Sequence, residues 1–302
     1  MKAVNLSKQF PGKLAVSGLN FELLPGRLTA LLGPNGAGKT TTMRLLSGYS
    51  RATSGYINIQ GQELRDFPVE IREKIGYLPE NGPTYKDLTV KENLDFYAQI
   101  RCIPKSLRER AIFRVMDELN LGNSRNMVIG TLSKGFKQRV ALASVLIGEP
   151  QYLILDEPSY GLDPNQMTQI RQLIKTLSRE RTVLISTHSL DEVEEICEDV
   201  IILSQGKMVA NNSVHKLRLL DKIFVQVQMD EPKFSQLMSD IGIGKFSFIK
   251  KLESNFYEYE ISLEDKKPED LYFIFSEKKI PLRELRRSEA SLKTIFNSIT
   301  GN

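Results

Sequence analysis

Short apolar runs, each followed by Gly, Asp, Thr or Ser, set the frame of the first 220 residues. Residues 27–32, 152–155, 182–186 and 200–203 are apolar almost throughout, as in strands buried on both faces of a parallel sheet. The polar residue just beyond each run stands where a ligand meets the carboxyl end of such a strand. Near the start, residues 2–10, 14–24 and 55–64 predict antiparallel strands, the last with a Gln60-Gly61 turn. Between residues 88 and 147 the period lengthens to that of a helix. Leu94, Tyr97 and Ala98 share one face, and Ile112, Val115, Met116 and Leu119 another. The pattern predicts an α/β layer fold with a largely parallel sheet, an antiparallel side sheet and a helical insertion over about residues 84–147.

Beyond residue 220 the texture changes. Ile223, Val225, Val227 and Met229 alternate with polar residues, a helix follows Pro232, and residues 245–252 read as a second strand. Tyr257, Tyr259, Ile261 and Leu263 alternate as a third, followed by a helix over 268–277 and a strand over 280–285. That order, βαββαβ, is the split ferredoxin-like arrangement, so two domains are expected, 1–220 and 221–302. A closing helix is predicted from Leu292, Ile295, Phe296 and Ile299, whose spacing makes one apolar stripe.

Composition narrows the function classes. The 302 residues are 41 % hydrophobic and 26 % charged, which suits a globular chain. The net charge of +4 lacks the clustered excess of a nucleic-acid binder, so no nucleic-acid partner is expected. No apolar stretch approaches the ~18 residues of a membrane-spanning helix, and residues 1–10 carry no secretory signal. A cytoplasmic chain is expected. Cys102 and Cys197, the only two cysteines, are too few for a zinc cluster or a disulfide framework.

The chemistry begins at 33–40, where Gly-Pro-Asn-Gly-Ala-Gly-Lys-Thr stands between a strand and a helix. Glycines let the backbone N–H groups of Asn35, Gly36, Ala37, Gly38 and the residues opening the helix, Thr40 and Thr41, turn inward on phosphate oxygens. Lys39 reaches the β- and γ-phosphates, and the Thr40 hydroxyl holds Mg²⁺. Asp156 and Glu157 end an apolar strand; the first is placed to orient Mg²⁺ through water, the second to polarise the attacking water. Two acids after a strand also suit a helix N-cap.

Between these motifs lies Leu-Ser-Lys-Gly-Phe-Lys-Gln-Arg at 132–139, and after them Gly161-Leu162-Asp163 and His188. The ordered set resembles the ATP-binding-cassette (ABC) ATPases over residues 1 to about 220, in the exporter-type branch. The resemblance implies a P-loop NTPase cassette with a RecA-like core and a head-to-tail homodimer, in which the signature of one copy completes the ATP site of the other. Ser133 and the backbone of Gly135 would then contact the γ-phosphate of the second copy, with Asp163 in the adjoining loop; Ser133 also suits a helix N-cap. Phe10 stands where the family stacks an aromatic ring on adenine, though a strand-end Phe also suits a core. His188 stands where it senses the γ-phosphate. Glu80 replaces the family's usual Gln, a carboxylate that still ligates Mg²⁺. Lys134 and Phe136 replace the usual Gly and Gln of the signature.

With no spanning helix encoded, the resemblance implies an exporter's ATPase subunit held at the inner membrane face by a separate multi-spanning permease. The docking segment is expected at residues 83–93, which open at Pro83 and close at Asn93. The competing class is a soluble ABC-type ATPase acting on chromosomes or ribosomes. The former needs long coiled coils between Thr40 and Ser133, where no sustained heptads occur, and the latter two cassettes per chain. The C-terminal segment either covers the cassette's surface or regulates it.

Overall fold

The computed structural model describes residues 1–64, 68–215, 219–263 and 268–289, and the chain divides into two compact units, Met1–Val214 and His215–Asn302. The first strand of the second unit begins at Leu219.

The first unit opens with β1 (Lys2–Phe10), β2 (Lys13–Glu22), β3 (Leu28–Leu32), α1 (Lys39–Leu46), β4 (Ser54–Ile59) and β5 (Gln62–Leu64). It continues through α2 (Val69–Glu73), β6 (Ile75–Leu78), α3 (Val90–Ile100), α4 (Lys105–Glu118) and α5 (Lys134–Leu146). β7 (Tyr152–Asp156), α6 (Pro164–Leu177), β8 (Thr182–Thr187), α7 (Leu190–Ile196), β9 (Asp199–Ser204) and β10 (Lys207–Ser213) complete it.

Six strands form the central sheet in the order β10-β9-β3-β8-β7-β6, parallel except for β10. Every residue of β3 and β8 is buried, which explains their unbroken apolar character. Because β3, β8 and β7 run parallel and in register, with Leu32 beside Thr187 and Asp156 beside Ser186, their carboxyl ends share one edge. Gly33, Glu157 and His188 follow directly on that edge. The side sheet, β2-β1-β4-β5, is antiparallel throughout and packs Leu6, Val16, Leu19 and Ile57 into the same core as Met43 of α1.

In the helical insertion, a capping box starts α3: Thr89 Oγ1 accepts from the Glu92 N–H at 3.3 Å, and the Thr89 N–H donates to Glu92 Oε2 at 2.8 Å. Buried Asn93 accepts from the Tyr85 N–H at 3.1 Å and donates to Ser144 Oγ of α5 at 2.9 Å, fixing the loop before α3 to the helix behind it. Among the described residues no helix is long and apolar enough to cross a membrane.

The second unit runs β11 (Leu219–Val227), α8 (Glu231–Asp240), β12 (Phe246–Lys251), β13 (Tyr257–Ser262), α9 (Pro268–Glu277) and β14 (Leu282–Glu289). Its sheet order, β12-β13-β11-β14, is antiparallel throughout, the split βαβ arrangement. Ile223, Val225, Val227 and Ile261 bury one sheet face against Leu237, Leu271 and Phe275, and the Phe234 and Tyr259 rings stack at 3.7 Å. The predicted helix carrying Leu292, Ile295, Phe296 and Ile299 lies outside the described residues.

Candidate active site

The turn between β3 and α1 is shaped by backbone that only glycine accepts comfortably. Gly38 has φ +103°, and a Cβ there would lie 2.7 Å from the Ala15 carbonyl oxygen. The first turn of α1 carries no acid and no capping side chain, so its N–H groups face outward unpaired by side chains, an arrangement that favours an anion. Lys39 is only 7 % exposed. Its ammonium donates to the Gly33 carbonyl at 2.8 Å and lies 3.5 Å from Glu157 Oε1.

Glu157 stands opposite, just past β7, in the left-handed region at φ +48°. Its N–H donates to Ser186 Oγ at 2.9 Å, and that hydroxyl in turn donates to Asp156 Oδ1 at 2.5 Å, so one serine of β8 fixes both acids. His188 Nδ1 lies 2.8 Å from Glu157 Oε2. An ionised carboxylate only accepts, so Nδ1 donates to it, which leaves the Nε2 side of the ring for a ligand.

These groups enclose a cavity of about 530 Å³, to which the turn and α1 contribute Asn35, Gly36, Gly38, Lys39, Thr40 and Thr41. Glu80, Glu157 and His188 form further walls, and Pro34, Lys13, Ala15 and Tyr160 complete it. The last three were missed in the sequence. Lys13 is foreshadowed by its pairing across the hairpin with Phe10; Tyr160 has no motif position to announce it. The remaining expected residues do not line the cavity. Ala37 is buried in the core beneath the turn, and Asp156, 1 % exposed, stands behind Glu157. Phe10 is 45 % exposed, with Lys8 Nζ 5.2 Å from its ring centroid. Ser133 Oγ accepts from the Phe136 N–H at 3.4 Å, Asp163 Oδ1 from the Gln166 N–H at 2.9 Å, and both act as helix N-caps. Gly135 packs so tightly on Gln166 that a Cβ would approach that side chain to 2.7 Å.

The lining suits a hard cation, since the Thr40 hydroxyl and the Glu80 carboxylate offer oxygen donors to one cavity. Among the described residues no cluster of three His, Cys, Asp or Glu could hold a metal by itself.

Comparison with known proteins settles the family. The ABC transporter family profile matches residues 16–160. The bacitracin transport ATP-binding protein BcrA of Bacillus licheniformis is 36 % identical over 233 residues, 76 % of this chain and 75 % of that one. The chain belongs to the ABC transporter ATP-binding family. The Nod factor export ATP-binding protein I of Burkholderia lata is 33 % identical over 214 residues, 70 % of each chain. The probable multidrug ABC transporter ATP-binding protein YbhF of Escherichia coli K12 is 38 % identical over 207 residues, and the matched part spans only 36 % of that protein. Among solved structures, an ATP-binding subunit of an ABC transporter is 29 % identical with a TM-score of 0.63, covering 72 % of this chain and 91 % of that one. A nucleotide-free ATP-binding cassette of an ABC transporter, 24 % identical, shares the fold with a TM-score of 0.65, covering 72 % and 92 %. The cassette fold is thus that of the first unit, with the glycine-rich turn, the paired acids and His188 on one edge of its sheet.

Proposed function

We propose that this chain is the ATP-hydrolysing subunit of a membrane exporter, acting as a head-to-tail pair on a separate membrane-spanning partner. The observation that carries the reading is the meeting of Lys39, Glu157 and His188 around one cavity at the opening of α1. The N–H groups of Asn35, Gly36 and Gly38 to Thr41 cradle the phosphates, that of Ala37 being taken by the Pro34 carbonyl at 3.2 Å, and Lys39 exchanges its carbonyl and carboxylate contacts for phosphate oxygens. Released from Lys39, Glu157 accepts a proton from the water that attacks the γ-phosphorus, while His188 holds that carboxylate and senses the γ-phosphate. Thr40 and Glu80 would hold Mg²⁺, with Asp156 acting from behind through water, and the bound cation would neutralise charge on the phosphates. Phe10, across the hairpin from the cavity residue Lys13, takes the adenine face.

Ser133, Gly135 and Asp163 are away from the cavity of their own chain, which supports their role in the site of a second copy. For the permease, the segment 83–93 offers an exposed aromatic pair at its base: Tyr85 and Phe96 meet edge to face at 5.1 Å, and Asn93 anchors the loop from beneath. Docking there holds the chain at the inner face of the membrane. The relative named for Nod factor export supports the export direction, and the one named for bacitracin transport supports transport.

The test is a pair of variants that fail differently. Lys39→Ala is expected to weaken ATP binding at least tenfold, because a phosphate-contacting cation is lost. Glu157→Gln is expected to keep ATP affinity while hydrolysis falls at least a hundredfold, the low end of what a general base contributes. Normal turnover in Glu157→Gln would remove that residue from its role.

A further inference from the structure

The proposed reaction makes no use of Tyr160, yet its ring sits where two parts of the cassette meet. It lines the cavity beside Glu157 and His188 and is 58 % exposed. Its ring meets the His188 imidazole edge to face, with centroids 6.0 Å apart and planes at 70°. Lys134, the first residue of α5, places its ammonium 5.8 Å from the same ring's centroid. The Lys134 ammonium also crowds Gly161, where a Cβ would lie 2.2 Å from it, and Gly161 has φ +68°. Position 161 is strained for a side chain by its φ, and the Lys134 ammonium fills the space beside it.

A tyrosine ring carries a negative face and a positive edge, so one ring serves a cation and an imidazole at once. His188 is half exposed, and among the described residues its side chain hydrogen-bonds to Glu157 alone. One bond leaves an imidazole free to rotate about it; a second contact, to a ring, restricts that rotation. We propose that Tyr160 is a positioning residue that holds His188 on Glu157. Lys134, in the signature segment of the same chain, fixes Tyr160 in turn. A displacement of the amino end of α5 is then passed to Tyr160, and through it to the His188–Glu157 pair. The kinetic consequence rests on the ATPase reading; the geometric one does not.

The chain holds just two histidines, His188 and His215, so ¹⁵N-histidine NMR on the full chain resolves the ring directly, with His188→Ala assigning the signal. Tyr160→Ala is expected to shift the His188 ring resonances, and Lys134→Met to shift them the same way by less. Tyr160→Phe keeps the ring and should restore the wild-type position, and His215 should stay put throughout. In steady-state assays Lys134→Met should lower kcat about two- to fivefold, the worth of an exposed cation–π contact, with KM for ATP within about twofold. Lys134→Arg should restore kcat. The double variant should be no worse than Tyr160→Ala alone, because the lysine acts through the ring. Unmoved His188 resonances in Tyr160→Ala, or losses that multiply in the double variant, would overturn the proposal. A wild-type chain without turnover would instead overturn the ATPase reading, and the resonance test would still decide this one.

Discussion

Glu192 offers a stability test that reaches the active site from behind. It is 3 % exposed on α7, accepts from Ser159 Oγ at 2.6 Å, and lies 3.5 Å from Arg171 Nε of α6. Arg171 keeps a second partner, Glu195, at 2.7 Å, but its buried Nε makes no hydrogen bond and has Glu192 as its neighbouring charge. Glu192→Ala therefore strands a buried hydroxyl and one edge of a buried guanidinium. An unmatched buried polar group costs about 1–3 kcal/mol, and breaking a buried ion pair about 3–5. With Glu195 retained, about 2–3 kcal/mol is expected. For a unit of this size each kcal/mol lowers the midpoint by about 2–4 °C, so the cassette transition in scanning calorimetry should fall by about 4–12 °C. Glu192→Gln keeps an oxygen for Ser159 and should lose about half as much. Because Ser159 lies two residues beyond Glu157, turnover should fall in Glu192→Ala with little change in KM for ATP. A variant melting within about 1 °C of the parent, roughly the ±0.5 kcal/mol range of neutral surface changes, would refute the reasoning.

Phe234→Ala removes a ring stacked on Tyr259 and fully buried in the second unit; about 3–5 kcal/mol should be lost from that unit's transition while the cassette's stays in place. Two separate calorimetric transitions are needed to see it, and a shift of the cassette instead would contradict the division of the chain. Ser133→Arg should abolish turnover while sparing ATP binding by the isolated chain, since it places bulk and charge where a second copy's nucleotide sits. Mixing Ser133→Arg with Lys39→Ala makes heterodimers in which one site carries both lesions and the other neither, so partial recovery of turnover is expected. Full activity in Ser133→Arg alone would rule out a composite site.

The glycine-rich turn, the paired acids and the central strands were legible because local chemistry forces them. A strand buried on both faces has to be apolar, and a phosphate cradle has to be glycine-rich. β6 escaped notice because four residues containing Gly76 make no pattern, although that glycine is required where a Cβ would come within 2.6 Å of the Val145 side chain. β10 escaped because it is a half-exposed edge strand of mixed polarity, although Gln205 and Gly206, both with positive φ, mark the hairpin before it. Glu192 carries no signal in the sequence, because its burial depends on Arg171 and Ser159, brought from other elements. Tyr160 escaped for the same reason, its neighbours Lys134 and His188 being far away in sequence. Contacts between separate motifs are set by the sheet register, which no single stretch of sequence displays.

The central claim is that two copies of this chain close on ATP held by Lys39 and hydrolysed through Glu157. Light scattering of the Glu157→Gln chain, with and without Mg²⁺ and ATP, tests it most directly. The monomer mass should double when both are added and return to the monomer value when ATP is removed, while Lys39→Ala combined with Glu157→Gln stays monomeric. A Glu157→Gln chain that binds ATP with undiminished affinity and yet remains a monomer at every concentration would contradict the account.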